Sequence, residues 1–357
     1  MPVFEVKTSH CSYPNVIQRG VSGRIRDYLP QRHGKLFVLT TNDVWQLHGS
    51  AISNHFQPGE FEVLRFEGGE SNKRLANLER LAEQMSERGA DRTSIVIGFG
   101  GGIVTDMGGF LAAIFMRGIP VLQIPTTLLA QVDAATGGKT GVNLRSGKNL
   151  IGSFHQPLAV LIDPELLSTL PEREYRAGLF EVLKCGIIRD PEVFRQFAQR
   201  RSEILAMDRG LVDSLVAAAV RVKVDVVSAD EKEGDLRRIL NFGHTIGHAI
   251  EAETEYTRLL HGEAIAWGMI AATELSFLAG LLSKEDCAQI EQTVRSYGPL
   301  PSVSDLKADH LIARLAKDKK TLGGKIHFVL ATGIGTVEIV SEVNPSQVEQ
   351  AIVNTLQ

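Results

Sequence analysis

The chain has 357 residues, of which 43% are hydrophobic and 22% are charged. This length and composition are typical of a soluble globular protein with two domains of ordinary size. The formal net charge of −4 and the pI near 6.2 argue against nucleic acid or an anionic membrane as the main partner.

The cysteines and the N-terminus bear on the compartment. Cys11, Cys185 and Cys287 are far apart and include no CxxC pair, so the sequence indicates no disulfide framework and fits a reducing cytoplasm. The opening MPVFEVKTSH lacks the basic-then-apolar pattern of a secretion signal. The longest apolar run, near GFLAAIFM, is too short to span a bilayer. We therefore expect a cytoplasmic protein.

Strand-like and helix-like segments alternate in the first half. The pattern predicts a helix at 75–90 that stops at a glycine, and buried strands at 35–43, 93–102, 118–127 and 159–164. Strands that alternate with helices form βαβ units and a mainly parallel sheet. We predict an α/β domain with a mainly parallel sheet over residues 1–170, of the type that binds nucleotides.

The pattern changes after about residue 170. Segments such as EREYRAGLFEVLKCGII and ILNFGHTIGHAIEAE carry helical periodicity, and strand signals nearly vanish. The exception is a short hairpin predicted at 325–340. We predict a mainly α-helical domain over residues 171–357.

A run of three glycines at 100–102 follows a predicted strand, with Asp106 in the next helix. Such glycines let backbone N–H groups approach a phosphate, and a helix N-terminus favours its negative charge. The run is not a clean GxGxxG motif, and a tight turn without a ligand would have the same glycines. Asn42 and the threonines at 126–127 end other strands at the edge where open α/β sheets bind ligands. Together these positions favour a dinucleotide.

The segment VDAATGGKTGVNLRSGKN contains a GGKT piece that resembles a P-loop. A P-loop requires glycine where Asp133 stands, so the nucleotide triphosphatase interpretation fails. Lys139 and Lys148 remain on predicted glycine-rich loops, with Asn149 beside them. Lysines so placed suit an anionic phosphate or carboxylate, although solvated surface lysines would have the same pattern.

Two further patterns offer metal ligands. Glu181 and Lys184 share a helix face among apolar neighbours, which fits either a surface ion pair or a metal-site carboxylate. His244 and His248 are four residues apart on one helix face, and His261 begins another helical run. Histidines with a carboxylate can make a catalytic zinc site, but an HxxxH pair also occurs by chance. No HExxH is present here, which excludes that class of metalloprotease.

Scattered charges accompany these patterns, and each alone indicates a solvated surface. They are Lys223, Glu233, Arg237, Lys319 and Lys320.

Read together and in order, the motifs resemble the 3-dehydroquinate synthase family. The matching pieces run from about residue 95 to 270 and include GGGIVTDMGGF, IPTTLLAQVD, GGKTGVN, SGKN, GLFEVLK, NFGHTIGHAIE and HGEAIAWGM. Weaker echoes lie at both ends of the chain. Many ordered motifs over half the chain are far more specific than any one of them.

The resemblance implies a role for each matching position. The divalent metal, zinc or cobalt, would be held by Glu181, His244 and His261. The catalytic positions would be Lys139, Lys184, Lys223, Glu233, Arg237, Asn241 and His248. Further substrate contacts would be Arg117, Asp133, Lys148, Asn149 and one or both of Lys319 and Lys320. The NAD contacts would be Asn42, Glu70, Lys73, Gly101, Gly102, Asp106, Thr126, Thr127, Lys139, Lys148, Thr169, Leu170 and Glu174.

The resemblance also implies the reaction and the assembly. NAD would oxidise 3-deoxy-D-arabino-heptulosonate 7-phosphate transiently, phosphate would be eliminated, and reduction, ring opening and an aldol closure would give 3-dehydroquinate for the shikimate pathway. His244 would hold the metal, whereas His248 would be free to handle a proton. Arg117 would reach the phosphate from a neighbouring subunit of a homodimer.

Three alternative functions would share part of this pattern. Another sugar-phosphate cyclase, such as one resembling 2-deoxy-scyllo-inosose synthase, acts on a substrate without the carboxylate and need not keep Arg237 or Asn241. A metal-dependent polyol dehydrogenase would produce NADH and would not need the GGKT and SGKN lysines. A non-enzymatic binding module would have no use for a metal triad beside lysines.

Overall fold

The computed structural model describes residues 2–319 and 326–357, and the side chains up to residue 316 and from 326 onward. The chain divides into two compact units. The first comprises Met1–Pro171 and Lys223–Lys232, and the second comprises Glu172–Val222 and Glu233–Gln357. The sequence predicted one division at residue 170 and did not anticipate that residues 223–232 would group with the first unit. The assignment of NAD binding to residues 1–170 and of metal and substrate binding to residues 171–357 stays a prediction.

The first unit combines strands with flanking helices. Its strands are β1 (Val3–Lys7), β2 (Ser12–Ile17), β3 (Leu36–Thr41), β4 (Phe61–Phe66), β5 (Ile95–Gly100), β6 (Val121–Pro125), β7 (Lys139–Leu144), β8 (Gly147–Phe154) and β9 (Val160–Ile162). Its helices are α1 (Asn42–His48), α2 (Ser50–Ser53), α3 (Leu75–Glu87) and α4 (Gly102–Ile114). Short helical turns lie at Val21–Tyr28, Glu70–Asn72, Phe115–Arg117, Ala130–Ala134 and Pro164–Thr169.

Seven strands form one sheet in the order β1-β2-β9-β6-β5-β3-β4. Only the β1–β2 pair is antiparallel, and the other pairs are parallel. The predicted α/β fold with a mainly parallel sheet is confirmed. The sequence analysis missed β1, β2 and β4, which are more exposed than the central strands and carry no continuous apolar run.

Alternate residues of the central strands enter two cores, one on each face of the sheet. Phe37 and Leu39 pack with α3 and α4, while Leu36 and Val38 pack on the opposite face, where Trp45 of α1 covers them. This alternation follows from the two-residue period of a strand. Both faces are buried because parallel strands are covered by their own connecting helices.

The segment read as glycine-rich loops is an antiparallel hairpin made of β7 and β8. The glycines are required because the strands approach closely. A Cβ on Gly152 would lie 2.1 Å from the Thr140 carbonyl oxygen, and one on Gly141 would lie 2.7 Å from that of Ile151. Strand glycines often mark such close backbone approach, and their low strand propensity hid the hairpin in the sequence.

The second unit is mainly helical. Its helices are α5 (Glu172–Ile188), α6 (Pro191–Gln199), α7 (Arg201–Leu205), α8 (Arg209–Ala229), whose last turns belong to the first unit, α9 (His244–Glu253), α10 (His261–Leu278), α11 (Lys284–Ser296), α12 (Ala308–Lys319) and α13 (Pro345–Leu356). A helical turn spans Leu236–Asn241. The hairpin predicted at 325–340 is confirmed as β10 (Phe328–Gly333) and β11 (Thr336–Val340). In the described part of the chain, no helix has both the length and the apolar character needed to cross a membrane.

Candidate active site

The parallel sheet of the first unit has a switch point between β3 and β5. The chain leaves β3 into α1, which packs on one face, and leaves β5 into α4, which packs on the other. Ligands of open α/β sheets bind in the crevice at such a point. Asn42 begins α1 there, and Gly101 is the N-cap of α4. These two predicted NAD contacts therefore lie at the carboxyl edge of the sheet, where open α/β sheets bind ligands.

The N-terminus of α4 has little room for side chains. Gly101 offers no capping side chain, and a Cβ on it would lie 3.1 Å from Thr127 Cγ2. A Cβ on Gly102 would lie 3.3 Å from the Ala134 side chain. The Thr126 backbone N–H donates to the Gly100 carbonyl over 3.0 Å, which fixes the end of β6 beside β5. Close backbone and an uncapped helix N-terminus together suit a phosphate.

The buried Lys73 joins two other predicted site residues of the first unit, Asp106 and Asn149. Lys73 Nζ donates to Asp106 Oδ2 over 2.5 Å and to Asn149 Oδ1 over 2.6 Å. Burial raises the pKa of the Asp106 carboxyl, and the ammonium of Lys73 opposes that rise. The lysine thus fixes the turn after β4 against α4 and the β7–β8 hairpin.

The neighbouring Glu70 is held by the same hairpin. Its Oε1 accepts from Asn143 Nδ2 over 2.7 Å and lies 3.9 Å from Lys148 Nζ. Asn143 also accepts the backbone N–H of Asn149 through Oδ1, over 2.8 Å. Asn143 stands within GGKTGVN, but its contacts become visible only in the folded hairpin.

Other predicted residues of the first unit lie apart from this network. Asp133 Oδ1 pairs with Lys223 Nζ, which joins two predicted substrate contacts. Thr169 Oγ1 lies 2.7 Å from His48 Nε2, and burial lowers the pKa of that histidine. Leu170 follows Thr169 and is half-buried, whereas Lys139 is exposed at the start of β7.

Arg117 is exposed and adopts a left-handed backbone conformation, with φ of 71°, directly after Met116 with φ of 48°. Two consecutive non-glycine residues in this region are costly, at roughly 1–3 kcal/mol each. Such conformations cluster at functional positions, so the backbone here is consistent with a functional role.

In the second unit, glycines bring three helices together. A Cβ on Gly262 of α10 would lie 1.9 Å from the Ala177 carbonyl oxygen of α5. A Cβ on Gly268 of α10 would lie 1.9 Å from the carbonyl oxygen of Gly243, which precedes α9 and has φ of +77°. Because these glycines carry no side chain, the three helix backbones come close enough for the side chains of Glu181, His244 and His261 to lie near one another. The glycines of GHTIGH and HGEA thus have a packing role.

Glu181 lies at the centre of this helix cluster. Its side chain is 1% exposed and that of Lys184 is 2% exposed, so the surface ion pair left open by the sequence is excluded. Oε2 pairs with Lys184 Nζ, yet neither carboxylate oxygen accepts a hydrogen bond from any described residue. The Lys184 ammonium pairs with Oε2, whereas Oε1 is buried without a hydrogen-bond donor, and burying such an oxygen is costly unless a cation also binds it.

Two histidines turn the same ring nitrogen toward Glu181. His244 Nε2 lies 3.7 Å and His261 Nε2 lies 3.6 Å from Glu181 Oε1. Two ligand atoms of a tetrahedral zinc are about 3.3–3.4 Å apart, given bonds of about 2.0–2.1 Å. On the other side of its ring, His244 Nδ1 lies 3.2 Å from the Phe242 carbonyl oxygen. The donor set and its separations therefore fit a divalent metal.

A second ligand set is possible on distance alone. His244, His248 and His261 can bring one nitrogen each within 4.8 Å of one another. The His248 side chain, however, is 57% exposed, whereas Glu181 Oε1 is buried and accepts no hydrogen bond from the described residues. We favour Glu181 with His244 and His261, because leaving the buried Oε1 of that carboxylate without a partner would cost more than leaving the exposed His248 imidazole off the metal.

The remaining predicted residues of the second unit have separate positions. Arg237 is buried in the turn at Leu236–Asn241, and Asn241 Nδ2 donates to Glu233 Oε1 over 2.9 Å. Glu174 is exposed in the first turn of α5. Lys320 and the side chain of Lys319 lie outside the described residues.

Sequence analysis missed Glu251, which is buried on α9 beside two of the histidines. His261 Nδ1 lies 3.2 Å and His248 Nε2 lies 4.0 Å from its Oε2. A signal was present, since Glu251 is three residues after His248 and seven after His244 and so shares their helix face.

Family models match two adjoining parts of the chain. The 3-dehydroquinate synthase N-terminal model covers residues 63–177 and the C-terminal model covers residues 178–321. The chain belongs to the 3-dehydroquinate synthase family. A curated 3-dehydroquinate synthase of Solibacter usitatus (strain Ellin6076) is 58% identical over 356 residues, with 100% of each chain covered.

Solved structures share the fold of this 3-dehydroquinate synthase family member. The 2-epi-5-epi-valiolone synthase of Streptomyces hygroscopicus subsp. jinggangensis 5008, with NAD⁺ and Zn²⁺ bound, has a TM-score of 0.89 at 29% identity and covers 98% of both chains. A 2-deoxy-scyllo-inosose synthase with carbaglucose-6-phosphate, NAD⁺ and Co²⁺ has a TM-score of 0.88 at 24% identity and covers 99% of both.

Proposed function

We propose that the chain converts 3-deoxy-D-arabino-heptulosonate 7-phosphate into 3-dehydroquinate and phosphate, with NAD and one divalent metal. It would thus be a phosphate-eliminating carbon–oxygen lyase of the shikimate pathway. The observation that carries the proposal is the buried Glu181 carboxylate, whose oxygen faces the Nε2 atoms of His244 and His261. It is supported by the identity of 58% to a curated 3-dehydroquinate synthase over the full chain.

The cofactors supply chemistry that no side chain has. When bound, NAD accepts and returns a hydride, and the metal polarises the reacting oxygen. In the proposal, Glu181, His244 and His261 hold the metal. The uncapped N-terminus of α4 receives the NAD pyrophosphate, while Lys73 fixes the surrounding loops through Asp106 and Asn149.

The other side chains would bind the substrate and move protons. The substrate carries a carboxylate and a phosphate, and cationic side chains are suited to both groups. The buried Arg237 and Lys184 would serve there, together with Lys223 and the lysines of the β7–β8 hairpin. The exposed His248 is accessible to a substrate and would handle a proton, which a metal-bound imidazole could not.

The proposal includes a homodimer in the cytoplasm. The exposed, left-handed Arg117 would act at the site of a second copy of the chain. Cys11, Cys185 and Cys287 form no disulfide, which fits a reducing compartment. Light scattering on the purified protein tests the dimer, since a monomeric mass would contradict it.

The activity is tested with purified protein, NAD, zinc or cobalt, and the heptulosonate phosphate. Phosphate should be released without accumulation of NADH, because the hydride is returned within the same turnover. The matched variant Glu181→Gln should lose phosphate release. Steady NADH production from a simple polyol, with no phosphate release, would contradict the proposal and identify a dehydrogenase.

A substrate panel separates the cyclases from one another. Glucose 6-phosphate and a heptulose phosphate lack the carboxylate of the proposed substrate. They should release phosphate far more slowly, because the cationic side chains would bind only a phosphate instead of a phosphate and a carboxylate. Faster turnover of either sugar phosphate would overturn the substrate assignment and leave the cyclase class intact.

A further inference from the structure

The Glu251 carboxylate lies behind the candidate metal ligands, on the side of His261 that faces away from Glu181. Its Oε2 is 3.2 Å from His261 Nδ1, whereas Nε2 of the same ring is 3.6 Å from Glu181 Oε1. One imidazole therefore joins two buried carboxylates through its two nitrogens. Glu251 is 2% exposed, so water competes little for this contact.

This geometry has a defined consequence for His261. A carboxylate facing Nδ1 favours the tautomer that carries its proton there, which leaves the Nε2 lone pair for a metal. His244 Nδ1 also faces an acceptor, which is the Phe242 carbonyl oxygen at 3.2 Å. Both rings thus turn Nε2 toward Glu181 and have an acceptor behind Nδ1.

We propose that Glu251 is a positioning residue that orients His261 and thereby raises the affinity of the site for its divalent metal. The inference rests on the proposed function in taking Glu181, His244 and His261 as the ligands. Glu251 also lies 4.0 Å from His248 Nε2, so it holds an acceptor toward the histidine that we assign to proton handling. It acts through these histidines and does not itself ligate the metal.

The same helix provides a matched control. Glu253, two residues later on α9, accepts from Arg314 Nε over 2.6 Å and lies 2.9 Å from Nδ1 of His310. It is therefore also a carboxylate paired with a histidine, but that histidine is not among the candidate ligands. Glu253→Gln reproduces the loss of charge on α9 without touching the metal site.

The test measures metal binding by apoprotein in the absence of substrate. Zn²⁺ affinity is measured by competition with a chromophoric chelator for the wild type, Glu251→Gln and Glu253→Gln, and the visible spectrum of bound Co²⁺ is recorded for each. Loss of such an outer partner typically weakens metal binding about 10–100-fold. We expect a loss of that size and an altered Co²⁺ spectrum for Glu251→Gln, and wild-type values for Glu253→Gln.

Zn²⁺ binding by Glu251→Gln within about twofold of the wild type would overturn the inference, as would an equal loss in Glu253→Gln. If Glu251→Gln does not fold, Glu251→Asp keeps the charge and shortens the reach, and wild-type affinity of that variant would also overturn the inference. The result is independent of turnover. An inactive wild type with the expected metal data would contradict the proposed function alone, whereas an active wild type with unchanged Glu251→Gln affinity would contradict this inference alone.

Discussion

The candidate metal site centres on Glu181, whose oxygens are buried and accept no hydrogen bond from the described residues. The motif GLFEVLK indicated a carboxylate on a helix face, and GHTIGH indicated two histidines, but neither could show which groups meet. The i, i+4 spacing favoured His244 and His248 as a pair, whereas the fold brings Glu181 near His244 and His261, from three different helices. Contacts between helices depend on tertiary packing, which local spacing does not encode.

Replacement of each candidate ligand should separate the two possible ligand sets. Glu181→Gln and His244→Ala should each remove the metal, because they delete a charge or a nitrogen from the triad. His248→Ala should keep the metal and lose most of the phosphate release. Metal content after gel filtration, measured by mass spectrometry, checks this. Loss of the metal from His248→Ala to the same extent would instead support the set of three histidines.

At the scale of helices and strands, periodicity predicted the central sheet well and the glycine-rich segments poorly. The buried strands β3, β5 and β6 were located because both faces are apolar. The pattern predicts loops where the β7–β8 hairpin lies, because glycines that allow close approach of the two strands also lower strand propensity. In the helical unit, glycines likewise mark contact between helices, which a single helical pattern does not reveal.

The contact between α10 and α5 leads to a prediction at Gly262. A Cβ there would lie 1.9 Å from the Ala177 carbonyl oxygen. Because both clashing atoms are fixed to helix backbones, the clash can be removed only if one helix moves. Gly262→Ala should reduce the free energy of unfolding by at least about 1–3 kcal/mol and should also weaken metal binding. Urea unfolding followed by circular dichroism checks the stability.

Gly210 provides the matched control for this substitution. It lies in the first turn of α8, and a Cβ on it would find its nearest neighbour, Asp208 Oδ1, at 3.7 Å. Gly210→Ala should be neutral or stabilising by up to about 1 kcal/mol, since alanine is the better helix former. If the two variants were equally stable, α5 and α10 could move apart at little cost, and the prediction would be wrong.

At the scale of the whole molecule, the second unit should lose stability at alkaline pH. Burial raises the pKa of the Cys287 thiol from 9.0 to about 11, and it raises the pKa values of Tyr175 and Tyr297 from 10.0. A group whose pKa is higher in the folded state contributes stability below its unfolded pKa, and this stability is lost as the pH rises toward the folded value. The loss should therefore begin near pH 9.

Fluorescence of Trp267 can report this loss within the second unit. In a Trp45→Phe background, the urea midpoint seen by Trp267 should fall between pH 8 and pH 10.5. Tyr297→Phe should make the fall shallower, because the hydroxyl that donates to the Phe197 carbonyl no longer titrates. A midpoint that stays constant over this range would contradict the prediction.

The proposed dimer predicts complementation between two inactive variants. If Arg117 serves the site of the other subunit, Arg117→Ala and Glu181→Gln homodimers should both have little activity. A mixed dimer would contain one intact site, with Glu181 from one subunit and Arg117 from the other. Refolding the two variants together should restore up to about a quarter of wild-type phosphate release, since half of the dimers would be mixed and each would have one working site of two. No recovery in verified mixed dimers would place Arg117 in the site of its own subunit.

Residues 223–232 belong to the first unit although they follow part of the second unit in the chain. This arrangement limits how the gene can be recombined. The chain crosses from unit to unit at residues 171–172, 222–223 and 232–233, so no single cut yields two complete halves. A fragment ending at Pro171 would lack Lys223, the partner of Asp133. Chimaeras that exchange only the N-terminal portion between distant family members would pair Asp133 with a foreign α8. A functional exchange would have to carry the short 223–232 segment along with residues 1–171.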